Sequence, residues 1–130
     1  RGFPDPWAAF TYLVGLEALF PKSRLFSRYH LGFRDMMRSH EIDCPSGAFF
    51  LTKRSVIDTV GLLDENFFMY GEDIDWAYRI KKAGWEIWFN PDVTVQHKKK
   101  QSGRSKEDSR LRKRTQTYFY QTMLPACQLN

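Results

Sequence analysis

The order of apolar patterns predicts an α/β fold with few strands and flanking helices. Three observations carry this expectation. Ile74, Ala77, Tyr78 and Lys81 recur at three- and four-residue spacing between Gly71 and Ala83-Gly84, the rhythm of a helix with a glycine stop. Ala48-Phe49-Phe50-Leu51 and Glu86-Ile87-Trp88-Phe89 are short apolar runs of strand length, the second bounded by the turn Asn90-Pro91-Asp92. From Ile42 onward the patterns read strand, helix, helix, strand, strand, helix.

The elements follow in order. Asp5-Pro6 reads as an N-cap with proline in the first turn, and Trp7 to Phe20 then keeps helical spacing up to Pro21. Thr11 and Glu17 are nearly the whole polar face of this helix, which leaves more apolar surface than a small domain usually exposes. Ser23 to Met37 mixes Arg24, Arg28 and Arg34 with aromatic residues and reads as irregular with a helical turn. Ile42 to Thr52 reads as a strand, Lys53 to Val60 as a short helix stopped by Gly61. Glu86 to Phe89 and Val93 to His97 read as two further strands, and Lys106 to Met123 as a charged helix before Pro125. One domain over 1–130 follows, with a helical connector at 1–41, a motif-bearing core at 42–105 and a C-terminal helix at 106–130.

Composition narrows the class. No stretch approaches the roughly 20 apolar residues needed to cross a bilayer. Arg1 is not followed by a long apolar run, and Pro4 and Pro6 interrupt any signal-peptide pattern at this end. Cys44 and Cys127 lack metal-type spacing and read as reduced thiols of a cytoplasmic protein. The net charge of +5 is concentrated: nine basic residues lie between Lys98 and Arg114, while the rest of the chain is slightly acidic. Such a run suits an anionic partner such as a nucleotide diphosphate, a phospholipid surface or nucleic acid, or a solvated helix face.

The chemistry concentrates at Glu72, Asp73 and Asp75, three acids within four positions after Phe67, Phe68 and Tyr70. Carboxylates in a first helical turn complement the helix dipole, so capping alone accounts for them. Crowded carboxylates also raise the pKa of at least one member, which suits a general base. Spacing leaves both readings open.

The ordered set Ser46-Gly47-Ala48, Gly61-Leu62-Leu63-Asp64-Glu65-Asn66-Phe67-Phe68, Tyr70-Gly71-Glu72-Asp73-Ile74-Asp75-Trp76, Arg79 to Gly84, Pro91-Asp92-Val93 and Gln96-His97 resembles the C-terminal half of family 2 glycosyltransferases. Within that family it is most similar to the rhamnosyltransferase-like branch. The resemblance implies the C-terminal, acceptor-side portion of a GT-A fold, incomplete without the N-terminal nucleotide-binding half. The early βαβ unit and separate Asp-x-Asp metal motif of that half have no counterpart here, so an isolated fragment of this kind is expected to be inactive. Missing strands would leave edge backbone and apolar faces uncovered.

By this resemblance the activity is inverting transfer of a sugar from a nucleotide diphosphate sugar to an acceptor hydroxyl, in bacterial surface polysaccharide synthesis. Asp73 would be the base and Glu72 would orient the acceptor hydroxyl or tune Asp73. Asp75, roughly 200° further round a helix, falls to a structural role. His97 stands where several members complete a metal site with manganese or magnesium, a metal this portion would hold poorly alone. Ser102 and Arg104 lie in a loop richer in lysine than the family's, with Arg104 the choice for a diphosphate contact because a guanidinium fork matches phosphate geometry. Gly47 would let backbone approach the acceptor. Trp76 and Trp85 suit either sugar stacking or core packing.

The partners implied are a nucleotide diphosphate sugar and a glycan or lipid-linked acceptor, met in the cytoplasm or at the inner face of the membrane through peripheral association. An apolar first helix and an incomplete sheet suit a homo-oligomer. Nucleic acid is disfavoured, since no recognised binding module frames the arginines and aromatics. The alternative reading is a non-catalytic anion- or nucleic-acid-binding module.

Overall fold

The structure, a computed structural model, describes residues 1–67 and 71–96. Its elements are α1 (Pro6–Leu13), α2 (Leu16–Leu19), β1 (His40–Ile42), α3 (Arg54–Val60), α4 (Glu72–Lys82) and β2 (Ile87–Phe89). This is a small α/β arrangement. The expected helix at 106–130 lies outside the described residues.

Asp5 caps α1 as its position suggests, its carboxylate accepting the Ala8 N–H at 2.7 Å with Pro6 in the first turn. The single helix expected to Phe20 is two helices. Gly15 adopts a left-handed conformation at φ 76°, which costs glycine little, and the chain re-enters helix at Leu16 in a new direction. Apolar spacing runs through this break, so periodicity alone did not register it. Residues 21–39 form successive turns, as expected for that segment.

The strand expected over Ile42 to Thr52 is largely absent. β1 ends at Ile42, because Asp43 and Cys44 turn their N–H groups to the Arg1 carbonyl at 3.2 and 2.9 Å, and Pro45 follows. Gly47 and Ala48 form a turn, Phe50 folds against Trp76, and Phe49 and Leu51 face solvent. By contrast α3 follows its predicted span within one residue and ends on Gly61, whose N–H closes onto the Ile57 carbonyl at 2.8 Å.

β1 and β2 pair antiparallel, with His40 opposite Phe89, Glu41 opposite Trp88 and Ile42 opposite Ile87. Among the described residues this is the whole sheet. Residues 93–96 form no strand, which corrects the third strand expected from Val93, and His97 lies outside the described residues.

α4 is the hub. Trp76, Ala77 and Ile80 enter a core with Ile42, Cys44, Val56 and Ile87, and Phe3, Leu31 and Ile74 pack at its margin. The buried stripe is therefore rotated from the predicted one: Tyr78 and Lys81 are only half-buried. Each buried isoleucine contributes on the order of 2 kcal/mol. Acids in the first turn of α4 and Arg79, Lys81 and Lys82 in its last turn match the helix dipole at both ends. Lys81 Nζ also donates to Glu41 and Asp43 at 2.8 Å each, pinning the helix to the end of β1. Burial works against that ammonium, but its two carboxylate partners outweigh it and its pKa is raised.

Candidate active site

The site is built on the first turn of α4. Gly71 stands at the N-cap with φ 105°, a backbone that side chains rarely adopt, and provides no capping oxygen. Glu72 and Asp73 follow as the first two helical residues.

Asp73 is held at three points. Its Oδ2 accepts from Arg1 Nη2 at 2.6 Å and from the Gly47 backbone N–H at 3.1 Å, while Oδ1 accepts the Ile74 N–H at 3.0 Å. The side chain keeps 14% of its surface exposed, so it is fixed without being sealed. Two segments that the sequence singled out separately, Ser46-Gly47-Ala48 and Glu72-Asp73, thus meet through one hydrogen bond across 26 residues. The Gly47 contact is close but not forced: a Cβ there would lie 3.5 Å from the Asp73 Cβ, an ordinary van der Waals distance.

Asp75 does not share a site with Asp73. Asp75 is buried and turned to Arg79 Nε at 2.8 Å, and Arg79 donates onward to the carbonyls of Val60 and Leu62. That chain of contacts ties α4 to the end of α3 and gives Asp75 the structural role expected of it. Glu72 stands beside Asp73 in the same first turn. Its Oε2 is buried and has no hydrogen-bond partner among the described residues, and an unmet carboxylate oxygen is a free acceptor for a hydroxyl.

Of the two roles open to Trp76, sugar stacking as a substrate-binding residue or core packing, the fold places it in the core. It is 8% exposed, its indole N–H donates to the Gly61 carbonyl at 2.8 Å, and Phe50 stands edge-on to its ring at 5.0 Å. No face remains for a sugar. Trp85 is more open. His97, Ser102 and Arg104 lie outside the described residues, as do Phe68 and Tyr70 of the aromatic residues that precede the acids.

Arg1 is the residue that sequence reasoning missed. Its guanidinium reaches Tyr29 Oη, the Pro45 carbonyl and Asp73, partners 28, 44 and 72 residues away, so no local pattern announces it. Burial opposes its charge, but Asp73 and its other neighbours prevail and its pKa is raised. Beside it a groove of about 440 Å³ runs along α4, lined by Gly2, Phe3, Tyr78 and Lys81 among others; Asp73 is not part of its lining.

Cys44 is unsuited to nucleophilic work. It is buried, its thiol donates to the Pro45 carbonyl, and burial together with nearby Asp73 pushes its pKa up to about 12. Among the described residues no three His, Cys, Asp or Glu side chains come together to hold a metal ion. The donor set needed for manganese or magnesium is not assembled by these residues. Among the same residues no helix is long and apolar enough to cross a membrane.

Comparison with known proteins gives this geometry its context. Over 57 residues, 44% of the chain, the sequence is 44% identical to the N-acetylglucosaminyl-diphospho-decaprenol L-rhamnosyltransferase of Mycobacterium tuberculosis, in strains CDC 1551 / Oshkosh and ATCC 25618 / H37Rv. The match spans 19% of the length of these relatives. No solved structure matches the chain. The family described as glycosyltransferase like family 2 matches residues 18–117, most of the sequence, and the chain belongs to that family.

Proposed function

We propose that this chain forms the acceptor-side part of a GT-A glycosyltransferase that moves a sugar, with inversion, from a nucleotide diphosphate to an acceptor hydroxyl. Family membership and the rhamnosyltransferase relatives support sugar transfer. The name of those relatives points to L-rhamnose as the donor sugar and to a diphosphate-polyprenol-linked sugar as the acceptor.

The observation that carries the reading is the fixed carboxylate of Asp73. In a one-step inversion the acceptor oxygen bonds to the anomeric carbon as the bond from that carbon to the diphosphate oxygen breaks. The acceptor proton must leave to a base on the face opposite the departing diphosphate. Asp73 Oδ2 is occupied by Arg1 and Gly47, whereas among the described residues Oδ1 accepts its neighbour's backbone N–H alone and keeps a lone pair for that proton. Glu72, with an unmet oxygen one residue away, orients the hydroxyl before transfer. Positive charge on the leaving diphosphate would come from Arg104, with Ser102 as a neighbouring donor. A divalent ion, with His97 among its ligands, would supply the same stabilisation when bound.

The test is Asp73→Asn in the natural full-length protein, assayed with radiolabelled nucleotide sugars. Asparagine keeps the shape and the contacts of Oδ2 but cannot take a proton. Turnover should fall on the order of a hundredfold or more with the circular dichroism spectrum retained and the loss of stability no larger than the about 1–2 kcal/mol expected for breaking the Arg1 ion pair. Near-normal turnover in the folded variant removes Asp73 as the base.

A further inference from the structure

We infer that the exposed apolar ridge of α1 and α2, with its basic rim, docks on an anionic phospholipid bilayer. The inference stands apart from the reaction proposed above and uses none of its residues. Trp7, Phe10 and Leu13 of α1, with Val14 at its C-cap, fall within about one third of the helix circumference, while the buried Ala8 lies across the axis and the buried Thr11 borders the ridge beside Trp7. All four are exposed, Leu13 to 81%. The ridge continues through ring contacts: Trp7 lies 5.8 Å from Phe10 and 6.4 Å from Phe26, and Phe26 lies 5.5 Å from Phe20. The Trp7 indole N–H donates to the Leu25 carbonyl at 2.9 Å, which locks the two parts of the surface together. This is a continuous apolar patch rather than scattered side chains, and such patches mark interaction surfaces.

Charge selects the partner. Lys22 and Arg24 sit between Phe20 and Phe26 in the chain, and Arg24 and Arg34 both place their guanidinium groups over the Phe33 ring at 5.9 and 5.5 Å. These three cations are exposed and pair with no carboxylate among the described residues, unlike Arg28, which is held by Asp5. A second copy of the chain would set these cations against their own kind. A bilayer with anionic headgroups takes the aromatic and aliphatic side chains at the acyl boundary and the cations among its phosphates, the arrangement of an interfacial helix.

The experiment is co-sedimentation of the natural full-length protein with phosphatidylcholine vesicles and with equimolar phosphatidylcholine–phosphatidylglycerol vesicles. Binding is expected to the anionic vesicles only and to weaken with salt. Leu13→Glu, at a site too exposed to affect folding, should weaken it roughly tenfold. Lys22→Glu with Arg24→Glu should weaken it on the order of tenfold or more. Brominated lipid should quench Trp7, read as the quenching lost in Trp7→Phe. Equal binding to both vesicle types, binding to neither, or a dimer that Leu13→Glu dissociates in sedimentation equilibrium would each overturn the inference.

Discussion

The guanidinium of Arg1 and the carboxylate of Asp73 form a 2.6 Å ion pair across 72 residues, with only 14% of the carboxylate side chain left to solvent. The Gly47 N–H shares the same oxygen. Position 73 is therefore oriented by two segments remote from α4.

The first prediction concerns that pair. Arg1→Met removes the charge and keeps the stem, leaving a largely buried carboxylate with one donor fewer. Stability should fall by about 1–2 kcal/mol, measured by urea denaturation. In the full-length protein Arg1→Met should lower kcat more than it raises KM, because the loss is of base orientation rather than substrate contact. Arg1→Lys should recover only part of both, since an ammonium lacks the guanidinium's fork.

Gly47 offers a sharper separation of sterics from hydrogen bonding. Gly47→Ala should fold and turn over almost normally, because its Cβ would meet Asp73 at an ordinary distance. Gly47→Pro removes the N–H that Asp73 Oδ2 accepts and should cost about 1 kcal/mol of stability together with a clear loss of kcat. Equal losses in the two variants would show that space, not the donated hydrogen bond, matters at this position.

Trp76 distinguishes packing from substrate stacking. Trp76→Phe deletes the donor to the Gly61 carbonyl and part of the core volume, and Trp76→Ala should destabilise by about 3–5 kcal/mol. KM for the nucleotide sugar should be unchanged in Trp76→Phe. A KM rise without a stability loss would return this side chain to the binding surface.

A pH dependence follows from Glu17, a buried carboxylate that accepts from Ser27 Oγ, the His30 N–H and His30 Nδ1. Burial would push its pKa up, but the hydrogen bonds from His30 and Ser27 outweigh it and hold the carboxyl below its ordinary range. The unfolded chain then binds more protons than the folded one through the glutamate range. The stabilisation is complete above about pH 4.5, the ordinary value, and is lost as pH falls through the depressed folded value. Glu17→Gln should flatten the fall of melting temperature below pH 4.5, and an unchanged acid limb would exclude this contact as its source.

Much of this was legible in the chain itself. The spans of α3, α4 and β2, the Asp5 cap and the Gly61 stop depend on periodicity, caps and turn residues within a few positions of one another, so local physics decided them. The ordered motifs between residues 46 and 97 also pointed to the family that the comparison then established. The strand expected beyond Ile42 did not form, because Asp43 and Cys44 found the Arg1 carbonyl instead, and a run of apolar residues cannot say which backbone will be nearest. In the same way only the folded chain decided that Trp76 faces inward, that Asp75 serves Arg79, and that Asp73 answers to Gly47 and Arg1. Residue types and spacing set which groups are able to interact; which of them do is settled by the long-range packing around α4, where burial and unmet hydrogen bonds choose among distant partners.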